Sequence, residues 1–519
     1  MYQLLIKNSL VVDGSGRKAE ILDVAVESGR IVAVQKNITT RASTMVEASG
    51  MVLAPGFIDS QNHSDSYWQL FINPSLDSLL AQGYTTILVG SSGTSLAPLI
   101  SEESLRSIQK WVPTSGLNVN WRSFEEYVEQ LSSMQFGCNI LSMVGYSTIR
   151  RGLLNDSKKI PDRAELESLL ALIESSFKAG AVGVSVGLQY SHEFNVTSEE
   201  LMALANLCAK HNKLMAVSLR DESAGVITSC KELLTIAEQT KVSLKISHLK
   251  IRQQSNWPLL TELLDTIEAA RHKGANVHFD CYPYTETWQP LYTYLPNWSL
   301  EGGRTNLLER LAKPEERQRI LSSLTNHAAR LPALVVASTA TGLKANGKSI
   351  GSLAKDMGLT SEETILNLVE HGGSSTLVFD DCLDQGTVNI LCNHALSFVA
   401  TNGGGFDLTL GEQLVHPRSF GTSPRFLRQV IDSKAISLEE AVAKLSGRVA
   451  STLGLARKGL IVTNYDADLV LFDPATINSF ATTSNPYQYP IGIEAVWVAG
   501  QLAAQKSRLT GVLAGRYLV

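Results

Sequence analysis

Nowhere in this chain do about 18 apolar residues follow one another, the length a membrane-crossing helix requires. No run of one charge sign occurs either. Lys and Arg number 45, Asp and Glu 50, and the formal balance is −5. A nucleic-acid or anionic membrane surface is therefore not the expected partner. The opening "MYQLLIKNSLVVDGSG" has no charged start, apolar core or small-residue cleavage site, so no secretory leader is expected there. Cysteine is sparse. Its six residues (138, 208, 230, 281, 382, 392) form no CxxC pair, which excludes a disulfide scaffold and predicts reduced thiols in a cytoplasmic protein. Aromatic residues make up 7% and charged residues 18%, against 44% hydrophobic, a balance that fits a well-packed globule.

What is there divides into two textures. Residues 1–56 alternate short β runs with Asp-Gly and Ser-Gly turns, which reads as hairpins of a small sheet. Residues 451–519 repeat that texture in "DADLVLFDP" and "GIEAVWVAGQLAAQ", so the two ends are predicted to share one β-sandwich. Between them, residues 57–450 alternate apolar strands with helical patterns. The strands are "TTILVG", "FGCNILSMVG", "GAVGVSVGL", "KLMAVSL", "KVSLKISHLK", "ANVHFDCYPY" and "ALSFVATNG". Repeated strand–helix units predict an α/β protein with a parallel (β/α)8 TIM-like barrel. Residues 286–350 break the repeat and read as an insertion over the active face.

In such a barrel chemistry sits where the strands end. The residues at those ends are dense and polar: Gln61, His63, Ser91, Ser92, Tyr146, Ser218, Arg220, His248, Lys250, Asp280, Tyr282 and Asn402. Any one of them is satisfied by an ordinary strand-end role. The whole set marks a site.

The stretches "APGFIDSQNHSD", "QGYTTILVGSSGTSLAP", "SLRDES", "KISHLK", "CYPYTE", "HPRSFGTSPRFLRQV" and "YDADLVLFDP" carry a family likeness. In order and spacing the chain resembles the N-acyl-D-amino-acid deacylases, the D-aminoacylase-like group of the amidohydrolase superfamily. The resemblance implies a zinc site built from a His-x-His pair, a cysteine, two further histidines and a water-activating aspartate. At those positions stand Gln61 and His63, Ser92, Ser218 and His248, and Asn402, with Tyr146 where another histidine is expected. Catalytic zinc takes about three imidazole, thiolate or carboxylate ligands. Hydroxyls and amides are poor donors to it, and an amide accepts no proton near neutrality. Only His63 and His248 remain competent. No cofactor is expected on this reading, and zinc, if held, would rest on those two histidines.

The acid-gripping half of the resemblance is kept. Lys250 and Arg418 match the residues that hold the substrate carboxylate, through a point charge and a bidentate fork. Tyr282, Tyr284, Ser92, Gln61 and Arg220 are further candidate substrate contacts, and Trp288 and Trp298 candidates for an apolar acyl pocket. The partner implied is a small carboxylate, an N-acyl amino acid or a peptide-like acid. Three readings stay open. The first is metal-independent acid–base, acyl-transfer or cyclisation chemistry by His248, His63, Ser218, Asn402 and Tyr146. The second is a zinc-dependent N-acyl-D-amino-acid deacylase with a reduced site, drawing on Asp59, Asp65 or Asp280. The third is a ligand-binding pseudoenzyme. In "RDES", Arg220 and Glu222 match the family and are expected to form supporting ion pairs at the barrel mouth.

Overall fold

A computed structural model of the chain describes all residues except 103, 106–117, 156, 158, 191–192, 326–328, 340–343, 373–375 and 410–412. The barrel strands are β1 (Phe57–Asp59), β2 (Tyr84–Val89), β3 (Asn139–Ser142, resumed at Val144–Gly145), β4 (Gly183–Gly187), β5 (Leu214–Ser218), β6 (Ser243–Ile246), β7 (Asn276–Cys281) and β8 (Ser397–Val399). Neighbours pair in parallel from β1 to β3 and from β3 to β8. These strands are buried along almost their whole length, which is why they read as continuous apolar runs rather than alternations. The ring closes beyond the ends of β8 and β1. The amide of His63 donates to the Gly403 carbonyl at 2.7 Å and that of Asn402 to Gln61 at 2.8 Å. Asp59 clasps the same seam, accepting from the Thr401 amide at 2.9 Å and the Asn62 side chain at 2.8 Å.

Strands from both chain ends form one hydrogen-bonded nine-stranded sheet with its own apolar core. The join is antiparallel, Val52–Pro55 against Leu469–Phe472. The final residues leave this sheet and bridge β3 and the segment before it, Tyr517 to Ile140 and Gly515 to Phe136.

The insertion is longer than residues 286–350. Its three-stranded antiparallel sheet also takes in Leu377–Asp381, which lies between Glu286–Pro290 and Val335–Ser338. A separate apolar cluster fills it. Register within the insertion depends on pairing across about ninety residues, and nothing local in the sequence announces that. No helix among the described residues is long and apolar enough to cross a membrane. All six cysteines are free and buried.

Candidate functional site

A cavity of about 250 Å³ opens at the C-terminal ends of the strands, capped by Trp288, Pro290 and Leu377 of the insertion. His63, Ser92, Arg220, His248, Lys250, Tyr282, Asn402 and Arg418 line it. Gln61 and Ser218 are fully buried and hydrogen-bond to Ser92 and His248 respectively. The barrel thus gathers most of the residues singled out in the sequence.

Three of them hold left-handed backbones: Ser92 at φ 53°, His248 at φ 42° and Asn402 at φ 47°. Such conformations are rare outside glycine and cluster at functional sites. Around Ser92 the turn needs them, since Gly90 and Gly93 are also positive at 74° and 80°. A side chain on Gly90 would meet the Met143 carbonyl at 2.1 Å.

One hydrogen-bond chain centres on His248. The β5–β6 register sets Val217 beside Ile246, so Ser218, the last residue of β5, and His248, two residues past the end of β6, come together. Ser218 Oγ lies 3.0 Å from His248 Nε2. On the other side, Nδ1 is 3.1 Å from Glu222 Oε1 and 2.8 Å from Lys250 Nζ. Lys250 also donates to Glu222 at 2.6 Å. Burial, then the charge of Lys250, pushes His248 below the usual imidazole range, with Glu222 pulling the other way. Burial opposes the Glu222 charge, but Lys250, His248 and Arg252 outweigh it and hold this carboxyl at about 2. The Glu222 role was not legible in the sequence. Arg220 is not its partner, because that guanidinium is taken by Glu232 at 2.9 Å and by the carbonyls of Phe194 and Val196.

A second chain starts at Lys245, also missed from the sequence. Its buried ammonium donates to the Ser60 carbonyl, to Gln61 Oε1 at 2.9 Å, and ion-pairs with Asp280 at 2.7 Å. Gln61 Nε2 then donates to Ser92 Oγ at 3.1 Å. Nearby, His63 Nε2 meets Asn402 Oδ1 at 2.9 Å. Burial, helped by the Arg418 charge and opposed by the Asn402 bond, holds His63 at about 3.

Zinc fits this donor set poorly. Among the described residues no three His, Cys, Asp or Glu side chains gather in a metal-holding group. His63 and His248 bond to an amide and a hydroxyl. The carboxylates that would complete a reduced site are committed elsewhere. Asp59 joins β1 to β8, Asp65 accepts from the Gly90 amide at 2.8 Å and the Ser66 amide at 2.7 Å, and Asp280 holds Lys245 and the His248 amide. Burial raises Asp59 to about 6 and Asp65 to about 7.

The cavity's opposite wall is cationic and aromatic. Arg418 is 4% exposed, stacks on the Tyr282 ring at 4.6 Å, and its Nε has no partner. No carboxylate lies within ion-pair distance of it among the described residues, whereas Lys250 is bound to Glu222 and Arg252 to Asp380. His416 accepts the Arg418 amide at 3.1 Å and so fixes where the guanidinium starts. The Tyr282 hydroxyl is buried and unpaired. Trp288 stacks on Tyr67 at 5.1 Å with its indole N–H also unpaired. Three candidates fall away. Tyr146 is buried against Glu200, which accepts its hydroxyl at 2.6 Å; Tyr284 donates to the Pro417 carbonyl at 3.3 Å; Trp298 packs under Arg319 in the insertion. None of the three lines the cavity.

Comparison with known proteins agrees with this architecture. Residues 52–503 match the Amidohydrolase family. An N-acyl-D-aspartate deacylase of Alcaligenes xylosoxydans xylosoxydans is 31% identical over 502 residues, 96% of this chain and 91% of that one. A D-aminoacylase of the same organism is 29% identical over 518 residues, 100% of this chain and 97% of that one. Among solved structures, the N-acyl-D-glutamate deacylase of Bordetella bronchiseptica, complexed with zinc and a phosphonate inhibitor, superposes with a TM-score of 0.84 at 25% identity, covering 100% of this chain and 99% of that one. A D-aminoacylase structure concerned with a binuclear metal centre gives 0.84 at 26%, covering both chains fully. This barrel, with its β-domain and its insertion over a polar mouth, belongs to the amidohydrolase family, in the D-aminoacylase-like group.

Proposed function

We propose that the chain is an enzyme for an N-acyl amino acid or a similar peptide-like carboxylate, working by metal-independent acid–base or acyl-transfer chemistry. The observation that carries this is the pairing of an uncommitted buried guanidinium, Arg418, with the Ser218–His248–Glu222 chain around one small cavity. An unpaired buried cation is costly and is relieved by an anionic ligand. Arg418 would take the substrate carboxylate, with the Tyr282 hydroxyl as an added donor. The Tyr67–Trp288 face would hold an apolar group of the substrate.

His248 is neutral at pH 7 on this reading and exchanges a proton at Nε2, while Glu222 at Nδ1 orients the ring and stabilises its charged form. In the acyl-transfer version, Ser218 Oγ bonds to the acyl carbon and its proton passes to Nε2. That proton then goes to the departing amine nitrogen as the C–N bond breaks, and water releases the acyl group from Ser218. Ser218 is fully buried, so the acyl carbon reaches it only when the cavity floor rearranges.

A second reading, zinc-dependent deacylation, is favoured by the zinc-bound relative and opposed by the donor set. The experiment is elemental analysis of purified protein combined with turnover of a panel of N-acetyl-D- and N-acetyl-L-amino acids. Turnover with no stoichiometric metal is expected. About one zinc per chain, with activity lost to a chelator, overturns the proposal. No turnover of any member points instead to a binding protein.

A further inference from the structure

Lys245 has three N–H donors and no acceptor; it donates to the Ser60 carbonyl and to Gln61 Oε1, and ion-pairs with Asp280 Oδ2. This settles the amide of Gln61. Its oxygen must face the ammonium, so its NH₂ must face Ser92. An NH₂ group only donates, so Ser92 Oγ is an acceptor in this contact. The hydroxyl proton of Ser92 is therefore left over. Among the described residues no protein acceptor takes it, and Ser92 lines the cavity. Both Lys245 and Gln61 are sealed from solvent, so water cannot reverse the chain from below.

We propose that Ser92 is a catalytic residue, a hydrogen-bond donor to the acyl oxygen of the substrate, and that Gln61 is the positioning residue that turns its proton into the cavity. This rests on the N-acyl amino acid reading and assigns its polarising group. A buried ammonium polarises the amide, the amide polarises the hydroxyl, and the hydroxyl meets the charge that develops on the carbonyl oxygen. The left-handed backbone at Ser92, between two left-handed glycines, holds the hydroxyl at the end of this line.

The test uses the full chain and N-acetyl-D-phenylalanine carrying a ¹³C-labelled acetyl carbonyl. Calorimetry measures binding, and infrared difference spectra read the labelled carbonyl stretch. The wild type is expected to bind and to shift that band to lower wavenumber. Ser92→Ala is expected to abolish the shift and lower kcat about 100-fold with KM little changed, the size typical of losing one such donor. Gln61→Glu is the sharper variant. Its second carboxylate oxygen accepts the Ser92 proton and turns it away from the cavity, so it should mimic Ser92→Ala although the serine is intact. The double variant should be no worse than either single one, and circular dichroism controls for folding. Binding without a band shift, or a shift that survives in folded Gln61→Glu, overturns this inference and leaves the functional proposal standing. No binding to wild type overturns both.

Discussion

Two hydrogen-bond chains support the same cavity, and they differ in whether their direction can change. The Ser218–His248–Glu222 chain has an imidazole in the middle, which either donates or accepts at each nitrogen. Lys250 and Glu222 both reach Nδ1, so the proton on that ring has two competing arrangements. The Lys245–Gln61–Ser92 chain has an amide in the middle and a lysine at one end, so its polarity is fixed. One chain is built to move a proton and the other to hold one still. A reaction at an acyl group uses both, because one group must transfer protons while another steadies the carbonyl oxygen.

The largest expected effect strikes the mobile chain. His248→Ala should lower kcat about 1,000-fold, within the range for loss of a general acid–base group, with calorimetric binding of the substrate retained. An activity within tenfold of wild type would end the role assigned to it. The lysine end of the fixed chain should respond in stability. Lys245→Met leaves Asp280 buried without its partner, and urea titration should show a loss of about 3–5 kcal/mol. An unchanged midpoint would mean that Asp280 finds another partner or is protonated.

Between the chains lies the anion grip. Arg418→Met should raise KM about 10–100-fold for an N-acyl amino acid, yet leave binding of the matching N-acyl amide little affected. Equal losses for acid and amide would detach Arg418 from the carboxylate. Glu222→Gln is expected to act more gently, lowering kcat about tenfold. Its sign in pH is definite. Glu222 raises His248 against burial, so removing its charge lowers the imidazole further and moves the acid limb of kcat to lower pH. A limb that moves up would mean that another group titrates. The smallest expected effect is that of EDTA or dipicolinate, no change in rate, which a pre-incubation series would check.

Much of the barrel was legible because strands buried on both faces leave uninterrupted apolar runs, and polar residues just after them stand out. Ser218 and His248 were found that way, as were Ser92 and Asn402. Lys245 was not, because within "KVSLKISHLK" it looks like the solvent side of an alternating strand. In a closed barrel that other side is the interior, where Asp280 and Gln61 wait for it. A lysine inside a strand otherwise read as wholly buried was the available signal. Arg220 and Glu222 both form ion pairs, but their partners were not legible in the sequence. The β5 loop turns them apart, one toward Glu232 on the helix Val226–Thr240 and one toward His248. Tyr146 was assigned from its strand-end place and its motif position, and the helix it opens, Tyr146–Leu154, buries it against Glu200 instead.

The left-handed turns at Ser92, His248 and Asn402 have a consequence for redesign. Each stores on the order of 1–3 kcal/mol of conformational strain that the surrounding scaffold sustains whatever side chain is mounted there. The mouth of the barrel is thus a set of pre-aimed sockets. Exchanging the side chain at 92, 248 or 402 would therefore change the chemistry of the mouth without re-routing the main chain.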